Sequence, residues 1–271
     1  MYKNVILYGL LYAISLTLIS CEKSDNQGDQ NGNLVKISSG ISADQSFKVD
    51  IYAHDTLFEG YNKLFLSITD QVTEEVLSEA ELKLNPMMDM ITMKHSAPFE
   101  NPAGVVNTEG YFEGAVVFIM PSTADMGWTL EVFIKTADKE ESTIIDIPLV
   151  RSLEEARKIN VISAIDETKY FVSIVEPVEP EVGINTCEFT IHYKESMMSF
   201  PPAEDITMEI EPEMPSMDHG SPNNEDPAHT GDGHYVGKLN FTMTGWWRVH
   251  IVLKKGNEII TDDAYMDITL K

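Results

Sequence analysis

The sequence predicts an all-β protein built as two tandem antiparallel β-sandwiches, and two observations carry this prediction. Short stretches of alternating apolar and polar residues recur along the chain, separated by turns rich in Gly, Pro, Asn and Asp. A stretch rich in Met and His is also repeated in the second half, followed by the same kinds of segments in the same order. Such a long repeat implies two copies of one folding unit.

Composition excludes some functions before any motif is considered. The 271 residues contain 19 Lys and Arg against 44 Asp and Glu, a formal charge of −25. Nucleic acids and anionic membrane surfaces attract positive charge, so neither is an expected partner through electrostatics. Because 43% of the residues are hydrophobic and 9% aromatic, the chain can build a core and is not a disordered acidic tail.

The N-terminal residues read as a targeting signal. Residues 1–20 contain Lys3, an apolar run and no acidic residue, which predicts a secretory signal peptide. Cys21 follows Leu18-Ile19-Ser20 and resembles a bacterial lipobox, in which signal peptidase cleaves before the Cys and the Cys is lipidated. The other interpretation is an uncleaved membrane anchor with an incidental Cys.

The lipoprotein interpretation has further consequences. Residues 21–40 would comprise the lipidated Cys21 and a flexible tether, holding the protein to a membrane of the cell envelope. We expect the outer membrane, with the periplasmic or surface face left open. Cys187 would then have no disulfide partner, and its alternating surroundings favour a buried core residue over a metal thiolate.

The repeat divides the chain into a first domain over residues 41–155 and a second over residues 156–271. About seven short strands per copy are typical of an immunoglobulin-like sandwich. Ser152–Asn160 fits either a helical turn or an edge strand. Four identities align the copies at one offset: Met90, Met93, His95 and Pro98 with Met214, Met217, His219 and Pro222. In both copies a strand ending in Met and then a Trp-led strand follow, namely Ala115–Met120 and Trp128–Ile134, then Lys238–Met243 and Trp247–Leu253.

The repeated Met and His residues predict a metal site. A thioether is a soft neutral ligand that cannot compete for Zn²⁺ or Mg²⁺ but suits Cu(I), and an imidazole also accommodates Cu(II). The expected cofactor is therefore copper, with Cu(I) favoured. A nearby Trp can add a cation–π contact, and Trp128, Trp246 and Trp247 are candidates. The predicted ligands are Met214, Met217 and His219 in the second copy and Met90, Met93 and His95 in the first.

Other interpretations of these residues stay open. Methionine fills irregular cores, so the Met-rich stretch could pack under a loop or form an interface between the domains. Met120 and Met243 fit core positions or ligands, whereas His54, His192 and His250 fit surface or hydrogen-bonded strand histidines. Glu225, Asp226 and Asp232 lack the spacing of a calcium loop and fit a solvated loop. The sequence shows no catalytic motif, so we do not expect an enzyme.

The second copy resembles a family. Phe171–Asn185, Met214-Pro-Ser-Met217-Asp-His219, Gly233–Gly237 and Phe241–Trp247 together resemble a YtkA-like/FixH-type domain, as tandem copies in a bacterial lipoprotein. The first copy departs from the pattern, with Met90-Ile in place of Met-Pro and an insertion before Trp128. The resemblance implies an extracytoplasmic β-sandwich associated with copper handling or with assembly of a copper-containing respiratory oxidase.

The leading hypothesis is a lipid-anchored copper-binding protein that buffers or delivers copper at the cell envelope. Its membrane contact would be the lipid on Cys21, and a copper-dependent envelope protein is a candidate partner. The alternative is a non-enzymatic β-sandwich interaction or scaffold lipoprotein that binds no metal.

Overall fold

The computed structural model describes residues 34–153, 156–164 and 167–271. The predicted signal peptide, Cys21 and the tether as far as residue 33 lie outside the described residues. The predicted all-β class is confirmed: the described chain folds into antiparallel sheets that form β-sandwiches. No helix in the described part is long and apolar enough to cross a membrane.

The first sandwich consists of two sheets of short strands. One sheet has the order β1-β2-β3-β7-β6 and the other β5-β4-β8-β9. The strands are β1 Val35–Ile41, β2 Phe47–Ala53, β3 Gly60–Asp70, β4 Glu81–Asp89, β5 Lys94–His95, β6 Phe99–Glu100, β7 Phe112–Phe118, β8 Gly127–Lys135 and β9 Glu140–Ile147.

The second sandwich repeats this topology strand for strand. Its sheets have the orders β10-β11-β12-β16-β15 and β14-β13-β17-β18, and a single 3₁₀ turn, Pro215–Met217, precedes β14. The strands are β10 Ile159–Ser163, β11 Lys169–Glu176, β12 Gly183–Tyr193, β13 Ile206–Met214, β14 His219–Gly220, β15 Glu225–Gly231, β16 His234–Phe241, β17 Gly245–Lys255 and β18 Glu258–Leu270.

The predicted tether reaches too far along the chain. Residues 35–40 belong to β1, whose Val35 pairs with Ala53 of β2. Gly40 fits because its Cα packs directly on Ile145, where a Cβ would approach that side chain to 2.7 Å. A polar stretch with Ser and Gly therefore makes an edge strand here rather than a linker.

Each sandwich encloses its own apolar core. The first is centred on Trp128 and the second on Trp247, both fully buried. Cys187 lies in the second core with no exposed surface, as predicted, and burial raises the pKa of its thiol to about 12.

The same turn introduces the central strand of each sandwich. The Asn62 side chain accepts a hydrogen bond from the amide of Phe58 and donates to the carbonyls of Phe58 and Gly60. Asn185 makes the equivalent bonds to Glu181 and Gly183. The left-handed φ of Gly60 (130°) and Gly183 (114°) requires glycine at both places.

The two sandwiches contact each other through a small apolar cluster and two polar contacts. Val117 of β7 packs with three side chains of the second sandwich, Ile159, Phe171 and Phe200. The amide of Ser96 donates a hydrogen bond to the carbonyl of Met197, at 2.8 Å.

The second polar contact is an imidazole held between two carboxylates. His234 of the second sandwich contacts Glu100 of the first through Nε2 at 2.9 Å and Glu188 through Nδ1 at 2.7 Å. The Tyr61 hydroxyl donates to the other oxygen of Glu100, at 2.9 Å. The hydrogen bond to Glu100 is the main cause that raises the pKa of His234 to about 9, so this imidazole is charged at neutral pH.

His192 lies close to this contact but behaves in the opposite way. It is buried, and burial lowers its pKa to about 4. Its Nδ1 has no hydrogen-bond partner among the described residues, so the expectation of a hydrogen-bonded strand histidine is not met at that nitrogen. An uncharged buried ring is the state that desolvation favours.

Substituting Gly114 with Ala should destabilise the first sandwich. A Cβ there would approach the Glu100 carbonyl oxygen to 2.9 Å and the side chains of Leu84 and Pro102 to 3.1 Å. We expect a loss of about 1–3 kcal/mol in the free energy of unfolding, typical of overpacking, measured by urea denaturation. Gly104→Ala is the control, since its nearest neighbour would be 3.8 Å away. Equal effects of the two substitutions would contradict this packing.

The two interface histidines should titrate on opposite sides of neutrality. The raised pKa of His234 contributes stability that is complete below its unfolded value of 6.5 and is lost as pH rises through about 9. The lowered pKa of His192 contributes stability that is present above 6.5 and lost as pH falls through about 4. Imidazole NMR titrations measure both values. A titration of either ring near 6.5 would argue against the described contacts.

Candidate metal centre

A buried Trp positions one Met in each sandwich. The indole N–H of Trp128 donates to the carbonyl of Met120 at 3.0 Å, and that of Trp247 donates to Met243 at 3.1 Å. Trp128 belongs to one sheet and Met120 follows β7 of the other. The hydrogen bond therefore ties the two sheets together and fixes where each of these methionines leaves its strand.

His95 faces the thioether of Met120. The Ser96 carbonyl lies 2.7 Å from Nδ1 of His95, and Met120 Sδ lies 3.3 Å from Nε2. Because a carbonyl can only accept, Nδ1 carries the proton, and Nε2 of the neutral ring presents a lone pair to the sulfur. The ring also meets Trp128 edge to face, with centroids 5.5 Å apart.

Met88 completes this group. It pairs in register with His95 on β5 and with Trp128 on β8, and all three are buried. Directly opposed residues of antiparallel strands have Cβ atoms about 5 Å apart. We call Met88, His95, Met120 and Trp128 the first corner.

The second sandwich carries the equivalent group, Met214, His219, Met243 and Trp247, which we call the second corner. Met214 pairs in register with His219, and the His219 ring lies 6.4 Å from that of Trp247. Unlike His95, which is 5% exposed, His219 is open to solvent. Its Nε2 lies 3.4 Å from the hydroxyl of Thr242, the residue before Met243.

Strand pairing corrects the alignment of the repeat. The sequence offset places Met90 opposite Met214, but the residue that pairs with the corner histidine is Met88 in the first copy and Met214 in the second. The turn before the histidine is two residues longer in the first copy. Sequence identity in a turn is thus misleading, because hydrogen-bond register decides which side chains are equivalent.

The remaining predicted ligands lie in these turns. Met93 is 51% exposed and Met217 is 59% exposed, whereas Met214 is buried at 3%. Met90 packs partly against the first core. The structure therefore brings His95 to Met120 and Met88, and not to a cluster with Met93. Trp246 is not the indole of the second corner, which is Trp247. Its ring instead lies 5.2 Å from the Arg248 guanidinium.

Met120 and Met243 are the residues whose importance sequence reasoning underestimated. The available signal was positional, since both precede the Trp-led strand of the repeat. The strands predicted to end at Met120 and Met243 end two residues earlier, at Phe118 and Phe241. The contact of Met120 with His95 forms between two sheets, and the residue pattern of a single strand does not show it.

A groove beside the first corner is lined by aspartates, one of which, Asp89, is paired with Lys94 at 2.9 Å. This groove of about 600 Å³ lies beside Trp128, and its aspartates are Asp89, Asp125 and Asp146. Within residues 34–153, 156–164 and 167–271, no group of three or more His, Cys, Asp and Glu side chains could hold a metal ion.

Comparison with known proteins finds a family similarity for part of the second sandwich. A model of the YtkA-like family matches residues 166–252, which confirms the YtkA-like part of the predicted resemblance for those residues. No curated protein matches the chain. A solved structure, the adhesin InvE of Yersinia pseudotuberculosis, is 9% identical, with 90% of this chain and 62% of the adhesin covered. Its TM-score of 0.24 is too low to inform function.

The neutral form of His95 should be the tautomer with the proton on Nδ1. The Ser96 carbonyl accepts a hydrogen bond from the Nδ1–H group, with 2.7 Å between the oxygen and Nδ1, so Nε2 of the neutral ring stays unprotonated. Long-range ¹H–¹⁵N correlation spectra at mildly alkaline pH distinguish the two tautomers. A proton on Nε2 would contradict the described ring orientation, and the exposed His219 provides a comparison in the same spectrum.

Proposed function

We propose that the protein is a lipid-anchored, non-enzymatic copper-binding protein that buffers or delivers Cu(I) at the cell envelope. In this proposal Cys21 carries the lipid, and the ligands are Met88, His95 and Met120 in the first corner. Met214, His219 and Met243 have the same role in the second.

The single observation that carries the proposal is the pairing of His95 Nε2 with Met120 Sδ. Both atoms present lone pairs, and they face each other at 3.3 Å, with His95 buried and Met120 partly buried. Two acceptors that face each other without a donor between them are unfavourable. A cation between them, either a proton or a soft metal ion, removes this conflict.

The separation also suits one metal ion bound to both atoms. Typical first-row metal bonds of about 2.0 Å to imidazole nitrogen and about 2.3 Å to sulfur would meet at an angle of about 100° across this distance. That angle is close to tetrahedral, which leaves room for a further thioether, and Met88 is the neighbouring residue.

The donor set selects the kind of metal. Thioethers and one imidazole favour Cu(I) over Zn²⁺, Mg²⁺ or Ca²⁺, which prefer thiolate, imidazole or oxygen ligands. Asp125 and Asp146 of the groove beside Trp128 raise the local concentration of cations without supplying a closed set of oxygen ligands, whereas Asp89 is paired with Lys94. The indole of Trp128 adds a π face to the same corner.

The second corner supports exchange rather than retention. Its histidine is exposed and bonded only to a hydroxyl at 3.4 Å, so an incoming ligand meets little obstruction. A neutral ligand set binds copper less tightly than thiolates do, which is useful to a protein that passes the metal on.

Titration of the mature protein with Cu(I), against a chromophoric Cu(I) chelator under reducing conditions, tests the proposal. We expect two sites, and Met120→Leu or His95→Gln should weaken the first by about tenfold or more. Met93→Leu is the matched control, since Met93 is exposed in the adjacent turn, and it should leave both affinities unchanged.

Two results would refute copper binding. One is that the parent binds Cu(I) no more tightly than a variant lacking all six ligands. The other is that the corner substitutions lower the free energy of unfolding without changing either affinity. The second result would favour the alternative, an interaction module in which these methionines serve packing alone.

A further inference from the structure

One short segment of the first sandwich carries both a corner residue and the contacts to the second sandwich. It runs from His95 to Glu100 and passes from β5 of one sheet to β6 of the other. Near its start, the Ser96 amide donates to the Met197 carbonyl. At its end, Glu100 accepts from His234 and from Tyr61.

The first of these contacts acts next to the metal-binding imidazole. The Ser96 carbonyl orients the His95 ring through Nδ1 at 2.7 Å, while the amide of the same residue is bonded to Met197 at 2.8 Å. Ser96 is 1% exposed. The orientation of the His95 ring therefore depends on the carbonyl of a residue whose own amide is held by the second sandwich.

The second contact fixes the other end of the segment. Glu100 is tied to β7 by pairing with Ala115 and to the second sandwich by His234. The ionisable groups around the His234 ring are Glu100 of β6, Glu188 of β12, His192 of β12 and Tyr61 of β3. A charged imidazole between two carboxylates is a strong, directional contact because it makes two charge-assisted hydrogen bonds.

We propose that His234 is a positioning residue for the first corner, so that the affinity of this corner for Cu(I) depends on the docking of the second sandwich. The inference rests on the proposed function. Coupling of this kind is reciprocal, so Cu(I) bound at the first corner also stabilises the docked arrangement.

The test is made in a background in which His219→Gln and Met243→Leu remove the second corner, so that only the first corner can bind. In this background, the chain with His234 is compared with the His234→Gln variant. Competition with the Cu(I) chelator should show first-corner affinity reduced about tenfold, within the usual range of coupling between sites. His234→Lys retains a cation near the carboxylates and should recover part of the affinity. His250→Gln is the matched control, because it removes a His–Glu pair that lies within the second sandwich.

A pH profile separates positioning from a general loss of structure. The contact is formed by the charged ring, so it is complete below pH 6.5 and is lost as pH rises through about 9, the pKa of His234. The difference in first-corner Cu(I) affinity between the parent and His234→Gln should therefore be largest near neutral pH. It should disappear above pH 9.

The reciprocal background, with His95→Gln and Met120→Leu, reports on the second corner and on folding. His234→Gln should leave second-corner affinity unchanged there. Two results would overturn the positioning role while leaving the proposed function intact. One is equal first-corner affinity in the parent and His234→Gln, and the other is a loss of Cu(I) affinity at both corners. Absence of Cu(I) binding at both corners of the parent overturns the proposed function and this inference with it.

Discussion

The hydrogen bond from a buried indole to a methionine carbonyl is the contact on which each corner depends. In the first sandwich it joins Trp128 of one sheet to Met120 at the end of a strand of the other. Sheets in a sandwich are held mainly by non-directional apolar packing, which leaves their relative position adjustable. A directional bond removes that freedom locally, and it brings the thioether of Met120 against the imidazole of His95.

Sequence patterns predicted the architecture well because it follows from local periodicity. The strand predicted at Trp128–Ile134 lies within β8, Gly127–Lys135, and the repeat predicted two units of the same topology. The site was only half predicted. His95 and His219 were named from the sequence, but Met120 approaches His95 from the other sheet, and Met88 replaces Met90 as the residue paired with His95. Neither of these two relations can be predicted from the residue spacing within one segment.

The strong negative charge matters in only a few places. Most acidic residues lie on solvated faces, where screening leaves them little individual influence. Glu100 and Glu188 differ because they enclose His234 between the sandwiches. Composition could not distinguish these two from the other carboxylates, since their role depends on two strands from different halves of the chain meeting at one imidazole.

The segment from His95 to Glu100, which links the two sheets of the first sandwich, also supplies an edge strand to each sheet. β5 and β6 are edge strands of two residues each. An edge so short gives another chain little backbone to pair with, which protects a sheet from growth by strand addition. In the second sandwich β14 is equally short, and β15 contains Pro227 and two register shifts that disrupt pairing in another way. The residues around His95 thus guard against aggregation, independently of any ligand they hold.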